Sequence, residues 1–365
     1  MMPARADGVG PLNIPTEDLE RCHGLVGVAS WRLLTNRRVF VTGGTGFVGK
    51  WLLATLLHAN EALGLNCEVT VLSRHPEAFV HAWPQMADQV AWITGDVRDF
   101  DAGNASYDVI LHAATDVVAQ SSPRELFSVC LEGTRRVLEL ARKSGARELL
   151  LVSSGAVYGP IPPSMTHVPE THLGGPDPLS ADSAYAEGKR VSEWWATQSA
   201  HAGLAVKIAR IFAVVGPHLP LDKHFAIGNF LRSALQGEDI VLQGDGTAHR
   251  SYLYASDMAA WLWAVLLRGQ SARAYNVGAE ESVSLLELAN RVSNLLTSGA
   301  AQVRALRMPQ PGQIPQHYVP ASQRIQTELE LPVPMSLDEA LRRTARWYRQ
   351  YGVLSALSDA QGARC

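Results

Sequence analysis

Arg38-Val39-Phe40-Val41-Thr42-Gly43-Gly44-Thr45-Gly46-Phe47-Val48-Gly49 is the stretch whose reading decides the fold. Its first five residues are mostly β-branched and aromatic, the composition of a short strand. Residues 50–63 then carry apolar side chains at helical spacing. Strand, glycine turn and helix follow one another with no spacer. Each glycine has a steric task in that arrangement: one permits the tight turn, one lets the backbone approach a pyrophosphate, and one lets the helix pack close on the strand. The helix N-terminus adds unpaired N–H donors for an anion. Gly43, Thr45, Gly46, Phe47, Val48 and Gly49 are therefore read as a dinucleotide cradle.

Working outward, strands are expected at 68–72, 90–94, 108–111, 148–152 and 205–211, separated by turns or by helices such as 123–144 and 184–202. That alternation predicts an α/β protein with a Rossmann-type doubly wound parallel sheet. Beyond Gly216 the pattern loosens into a loop (218–224), a helix (226–235) and a strand with a turn (240–247). A helix at 256–267, with Ser256 as its cap, and a strand at 274–277 return to the main sheet. The expected organisation is an N-terminal extension (1–37), a dinucleotide-binding domain (38–215, with 252–280 returning to it), a smaller mixed α/β C-terminal substrate-binding lobe (216–251 and 281–352) and a tail (353–365).

Composition narrows the partners. The chain has 365 residues, 47% of them hydrophobic, enough for a large core. Its net charge is −3, from 32 basic and 35 acidic residues, and no run of like charge suggests nucleic acid or an anionic membrane surface. No segment approaches the roughly 20 apolar residues that cross a bilayer, and residues 1–10 lack a basic start followed by an apolar stretch. A cytoplasmic location is expected. Cys22, Cys67, Cys130 and Cys365 are scattered, without the pairing of a disulfide scaffold or a zinc knuckle. The 12 histidines show no ligand spacing, so no metal is expected.

The second strand ends in Leu72-Ser73-Arg74, with no carboxylate to meet ribose hydroxyls. A hydroxyl at Ser73 and a guanidinium at Arg74 suit a 2′-phosphate, which favours NADP, with NAD as the alternative. In Gly95-Asp96-Val97, Asp96 can accept from the adenine amine. Ala113, Ala114 and Thr115 offer small residues where the backbone passes the dinucleotide. Downstream, Tyr185-Ala186-Glu187-Gly188-Lys189 places a phenol and an ammonium on one helix face, where the ammonium would favour the ionised phenol. Ser154 ends the fifth strand, on the side where a parallel sheet presents its ligand. Trp194-Trp195 and Trp261-Leu262-Trp263 read as core or interface aromatics.

Together, the GxxGxxG turn at 43–49, Asp96, residues 112–115, residues 154–159 and Tyr185 to Lys189 resemble the extended short-chain dehydrogenases, the nucleotide-sugar NAD(P)-dependent epimerase/dehydratase family. The resemblance runs from Arg38 to about Tyr351. It implies Tyr185 as acid/base, Lys189 on the nicotinamide ribose and Ser154 orienting the substrate oxygen. It also implies Arg250 on the diphosphate of a nucleotide-diphosphate sugar, with Thr115, His224 and Phe225 lining the pocket. A homodimer through helices 123–144 and 184–202 is implied as well. Dehydratases of the family usually carry an acidic pair directly after the Ser/Thr, and UDP-glucuronate decarboxylases a glutamate there; this chain has Gly155 and Ala156. Ala213 and Cys130 stand where asparagines are common. The expectation is therefore hydride transfer at sugar C4, by a 4-epimerase or 4-keto reductase of surface-glycan or deoxysugar synthesis. A 4,6-dehydratase or decarboxylase recruiting another acid, such as Asp116 or His224, is one alternative. A non-catalytic dinucleotide-binding sensor or scaffold is another.

Overall fold

The computed structural model describes residues 10–115, 122–200, 203–223, 225–312 and 314–351. Seven strands make one parallel sheet: β1 (Arg38–Thr42), β2 (Glu68–Ser73), β3 (Ala91–Thr94), β4 (Val109–His112), β5 (Glu148–Ser154), β6 (Ala205–Ile211) and β7 (Arg273–Val277). Their spatial order is β3-β2-β1-β4-β5-β6-β7. The chain runs from β1 to β2 and β3 on one side, then returns to the far side of β1 for β4. Ligands of such sheets sit outside the carboxyl ends of the strands, where the order reverses. Thr42 is in register with Leu72 on one side and His112 on the other. The turns after β1, β2 and β4 thus leave the sheet along one edge.

Alternation along the strands builds a core on each face. Val39, Val41, Val109, Leu111, Leu150 and Val152 join one buried cluster, whereas Phe40, Ile110, Leu149 and Leu151 join another. Both faces of β1 and β4 are covered, which is why these strands read as continuous apolar runs. Helices α2 (Phe47–Leu63) and α6 (Ala255–Arg268) contribute to the first cluster; α3 (Pro123–Ser144) and α4 (Ala184–Ala200) contribute to the second. α3 is fixed at both ends. Ser122 and Glu125 form a reciprocal capping box ahead of it, and Gly145 closes it at φ +76.

The segment before β1 is part of the core. Leu12, Ile14, Leu19, Cys22, Val26, Trp31 and Leu34 are buried in the first cluster, where α1 (Thr16–Val26) packs on α6. A further cluster gathers α5 (Ala226–Gln236), α7 (Leu285–Thr297) and α8 (Leu337–Tyr351), with Phe47 touching both it and the first. α6 begins one residue earlier than expected, at Ala255, because the strand 253–254 runs straight into it. Its cap position falls on Tyr254, and Ser256 does not cap; its buried hydroxyl has no partner among the described residues. Trp261 and Trp263 are fully buried, but Trp194 on α4 is 64% exposed. Among the described residues, no helix is long and apolar enough to cross a membrane.

Candidate active site

The shape of the glycine turn is set by backbone constraints alone. Gly43 has φ +72, and a Cβ there would lie 2.6 Å from the Ala113 carbonyl and 2.7 Å from the Ala114 nitrogen. A Cβ on Gly49 would lie 2.1 Å from the Gly43 oxygen. Gly46, at the N-cap of α2, provides no side-chain cap, so first-turn N–H groups remain for an anion. Thr45 is half-buried beside them, and Phe47 and Val48 pack beneath. The residues present fit a pyrophosphate.

Behind this turn runs a buried polar chain. Thr42 Oγ1 meets His112 Nδ1 at 2.8 Å, His112 Nε2 meets Thr134 Oγ1 at 3.2 Å, and Thr134 donates to Ser192 at 2.9 Å. Thr42 Oγ1 also accepts from the Ala114 nitrogen, ordering the backbone that faces Gly43. Burial, with a smaller push from Lys189, lowers the His112 pKa to about 3, so the ring is neutral.

At the end of β2, the buried Ser73 accepts from the His75 nitrogen at 3.2 Å, and Arg74 is exposed. Asp96 is gripped by Arg98 through two bonds of 2.7 and 2.9 Å. That bond is the main reason its carboxyl lies below the usual range, with the charge of Arg74 adding a little. Arg98 as the partner of Asp96 was not anticipated from the sequence. Val97 is buried against Gly133.

β5 delivers Ser154, whose Oγ accepts from the Ala156 nitrogen at 3.1 Å. α4 delivers Tyr185 and Lys189 from one face, the ammonium 6.0 Å from the ring centroid. Lys189 Nζ donates to Thr115 Oγ1 at 2.7 Å and to the Val152 carbonyl at 2.8 Å, which joins β5, α4 and the turn after β4. The expected acidification of Tyr185 by Lys189 is not found. Burial raises the phenol above its ordinary value, and a hydrogen bond with Ser154 offsets this only in part. Burial also lowers the Lys189 pKa. A low-dielectric site disfavours both charges, and the amine's protons are directed to Thr115 and Val152.

The Gly188 between them lets α4 approach α3: a Cβ there would lie 2.8 Å from that of Cys130. Cys130 is thus a packing residue. Below the site, Arg210 grips Glu193 at 2.6 Å and donates to the Tyr158 hydroxyl at 2.9 Å, and Tyr158 donates to Asn276 at 2.7 Å.

Arg250 arrives on a two-residue strand that pairs in parallel with His317–Tyr318, in the register His249 with His317 and Arg250 with Tyr318. The two imidazoles stack at 4.5 Å, and the guanidinium lies 5.6 Å from the Tyr318 ring centroid. Tyr318 packs on Phe212 at 4.7 Å, and its hydroxyl lies against Gly155, beside Ser154. Neither Tyr318 nor Phe212 was singled out from the sequence, because Tyr318 follows a proline-rich loop with no local periodicity. Phe225 is half-buried just ahead of α5; His224 and Asp116 lie outside the described residues. Among the described residues, no group of three or more His, Cys, Asp or Glu could hold a metal ion.

A nucleotide-binding edge beside a Ser, Tyr and Lys group is the architecture of a pyridine-nucleotide enzyme. The model of the NAD dependent epimerase/dehydratase family matches residues 39–278, and the chain belongs to that family. It is 30% identical to UDP-glucuronic acid decarboxylase 5 of Arabidopsis thaliana over 270 residues, 72% of this chain and 75% of that protein. Among solved structures, a dTDP-glucose 4,6-dehydratase from Streptomyces venezuelae with NAD bound superposes with a TM-score of 0.69 at 26% identity, covering 86% of this chain and 97% of that one. The UDP-glucose 4-epimerase of Thermotoga maritima, solved with UDP-glucose, shares the fold with a TM-score of 0.70 at 20% identity, covering 86% of this chain and 99% of that one.

Proposed function

We propose that this chain oxidises and reduces the C4 position of a nucleotide-diphosphate sugar, as a 4-epimerase or 4-keto reductase. The observation that carries the reading is the convergence of Ser154, Tyr185 and Lys189 at the carboxyl edge of the sheet, with Gly155 and Ala156 supplying no acid beside them. When bound, the nicotinamide exchanges a hydride with the sugar carbon. Tyr185 exchanges the proton of the C4 oxygen, help typically worth about 10²–10⁴-fold. Ser154 orients that oxygen, and Lys189 organises the site through Thr115 and Val152. Arg250, Phe225 and His224 serve the nucleotide diphosphate. In this reading the sheet holds the dinucleotide, and the elements within 216–251 and 281–352 hold the substrate. Leu72-Ser73-Arg74 places a hydroxyl and a guanidinium where a carboxylate would select NAD, which favours NADP over the NAD of the Streptomyces relative. A homodimer through α3 and α4 is supported by the exposed Trp194 on α4.

Decarboxylation of a nucleotide-activated uronic acid is the second reading, supported by the decarboxylase relatives. Oxidation at C4 makes such a sugar a β-keto acid, which loses carbon dioxide without a dedicated acid. The test incubates the protein with UDP-, GDP-, dTDP- and CDP-sugars, UDP-glucuronate and 4-keto sugars. Reduced nicotinamide, carbon dioxide and product stereochemistry are followed together. Inversion without net cofactor consumption marks an epimerase, net oxidation of reduced cofactor a reductase, and carbon dioxide release the decarboxylase. Loss of water, or no reaction with any sugar, overturns the C4 proposal.

A further inference from the structure

The catalytic centre contains a second phenol. A Cβ built on Gly155 would lie 2.7 Å from the Tyr318 hydroxyl and 2.6 Å from the Phe212 ring, so position 155 is glycine because Tyr318 occupies its volume. Both Tyr185 and Tyr318 approach Ser154, Tyr318 by way of Gly155. A serine hydroxyl has one donor and two acceptor positions. The Ala156 nitrogen takes one acceptor position at 3.1 Å. With one acceptor position left, Ser154 can take at most one of the two phenol protons, which leaves the other for a substrate oxygen.

Tyr318 is also held in place from several sides. The Val168 nitrogen donates to the Val319 carbonyl at 2.9 Å, and the Ala321 nitrogen donates to the Val168 carbonyl at 2.9 Å. Asn276 on β7 donates to the Ala321 carbonyl at 3.1 Å, and Ser322 donates to the Gly278 carbonyl at 2.5 Å. The ring lies between Phe212 and the Arg250 guanidinium, and the hydroxyl is the only polar atom it brings to Ser154. A group this constrained is preorganised for recognition.

We propose that Tyr318 is a further substrate-contacting residue: its hydroxyl hydrogen-bonds a sugar oxygen beside the carbinol held by Ser154 and Tyr185. It thereby links the diphosphate grip at Arg250 to the reacting end of the sugar. The inference rests on the nucleotide-sugar reading above.

The experiment compares the full-length protein with Tyr318→Phe, which removes one oxygen and keeps the ring on Phe212. Turnover of the best nucleotide sugar is measured across pH, with calorimetric affinities for that sugar, the matching nucleoside diphosphate and the dinucleotide. The expected result is a fall in kcat/KM of about tenfold or more, in line with one lost hydrogen bond. The pH profile shifts, while affinities for the nucleoside diphosphate and dinucleotide stay within about twofold. Wild-type kcat and KM in Tyr318→Phe would overturn this proposal alone. A parallel loss of nucleoside diphosphate affinity and melting temperature would make Tyr318 a packing residue and overturn it too. A wild-type protein that binds no nucleotide sugar would overturn the functional reading and this proposal with it.

Discussion

Tyr185 carries the proton chemistry of the proposed reaction, and burial leaves its phenol reluctant to ionise. Tyr185→Phe is expected to slow turnover by about 10²–10⁴-fold with dinucleotide affinity unchanged; retained turnover would remove Tyr185 from the mechanism. Buried imidazoles give a separate residue-level expectation. Burial lowers the pKa of His112 and of His218 from 6.5 to about 3. The unfolded chain binds these protons and the folded chain does not. Their contribution to stability is therefore complete above pH 6.5 and is lost as pH falls towards 3. The denaturation midpoint should drop through that window. His218→Asn, which tolerates the φ of +70, should flatten the slope by up to about 1.4 kcal/mol per pH unit; an unchanged slope would mean that His218 is not held neutral.

The elements most legible in the sequence are those whose tasks are local. The β1 turn announces itself because every constraint on Gly43, Gly46 and Gly49 lies within one strand, one turn and one helix. Gly43→Ala should weaken dinucleotide binding by more than about tenfold, because the new methyl group would strike the Ala113 backbone at a left-handed φ. Gly64→Ala is the control. Its φ is +58 with nothing within 4 Å of the added Cβ, so it should cost only about 1 kcal/mol and leave binding intact, as read by nicotinamide fluorescence. Equal loss of binding in both variants would show that general destabilisation, and not the approach to Ala113, is responsible. Tyr318 was not legible for the opposite reason. It meets Ser154 only through the pairing of 249–250 with 317–318 and the hold of Asn276 on Ala321, contacts that no local spacing reports. The Arg98 grip on Asp96 lies two residues away, but a loop has no periodicity from which to infer it.

At the scale of the whole molecule, the segment before β1 ties the sheet core to the cluster of α5, α7 and α8. Asp18 on α1 is fully buried, accepting from the Tyr254 hydroxyl at 2.6 Å and from Arg343 on α8 at 2.8 Å. Nearby, Trp347 donates to the Asn13 carbonyl at 2.7 Å, and Arg21 binds Asp257 at 2.8 Å. Burial pushes the Asp18 pKa up, and its two partners offset that only in part, so removing either partner or the acid leaves polar groups stranded. Asp18→Ala should therefore destabilise the protein by about 1–3 kcal/mol, the cost of leaving the buried Tyr254 hydroxyl unpaired, since Arg343 keeps Glu17 and Glu339. Asp18→Asn keeps an oxygen for Tyr254 and should cost less. In Asp18→Ala/Arg343→Ala the losses should be less than additive, since both changes remove the same ion pair. Chemical denaturation of the wild type, Asp18→Ala, Asp18→Asn, Arg343→Ala and the double variant decides it. Additive losses, or a drop below about 1 kcal/mol for Asp18→Ala, would mean that the extension covers the core without fastening it to α8.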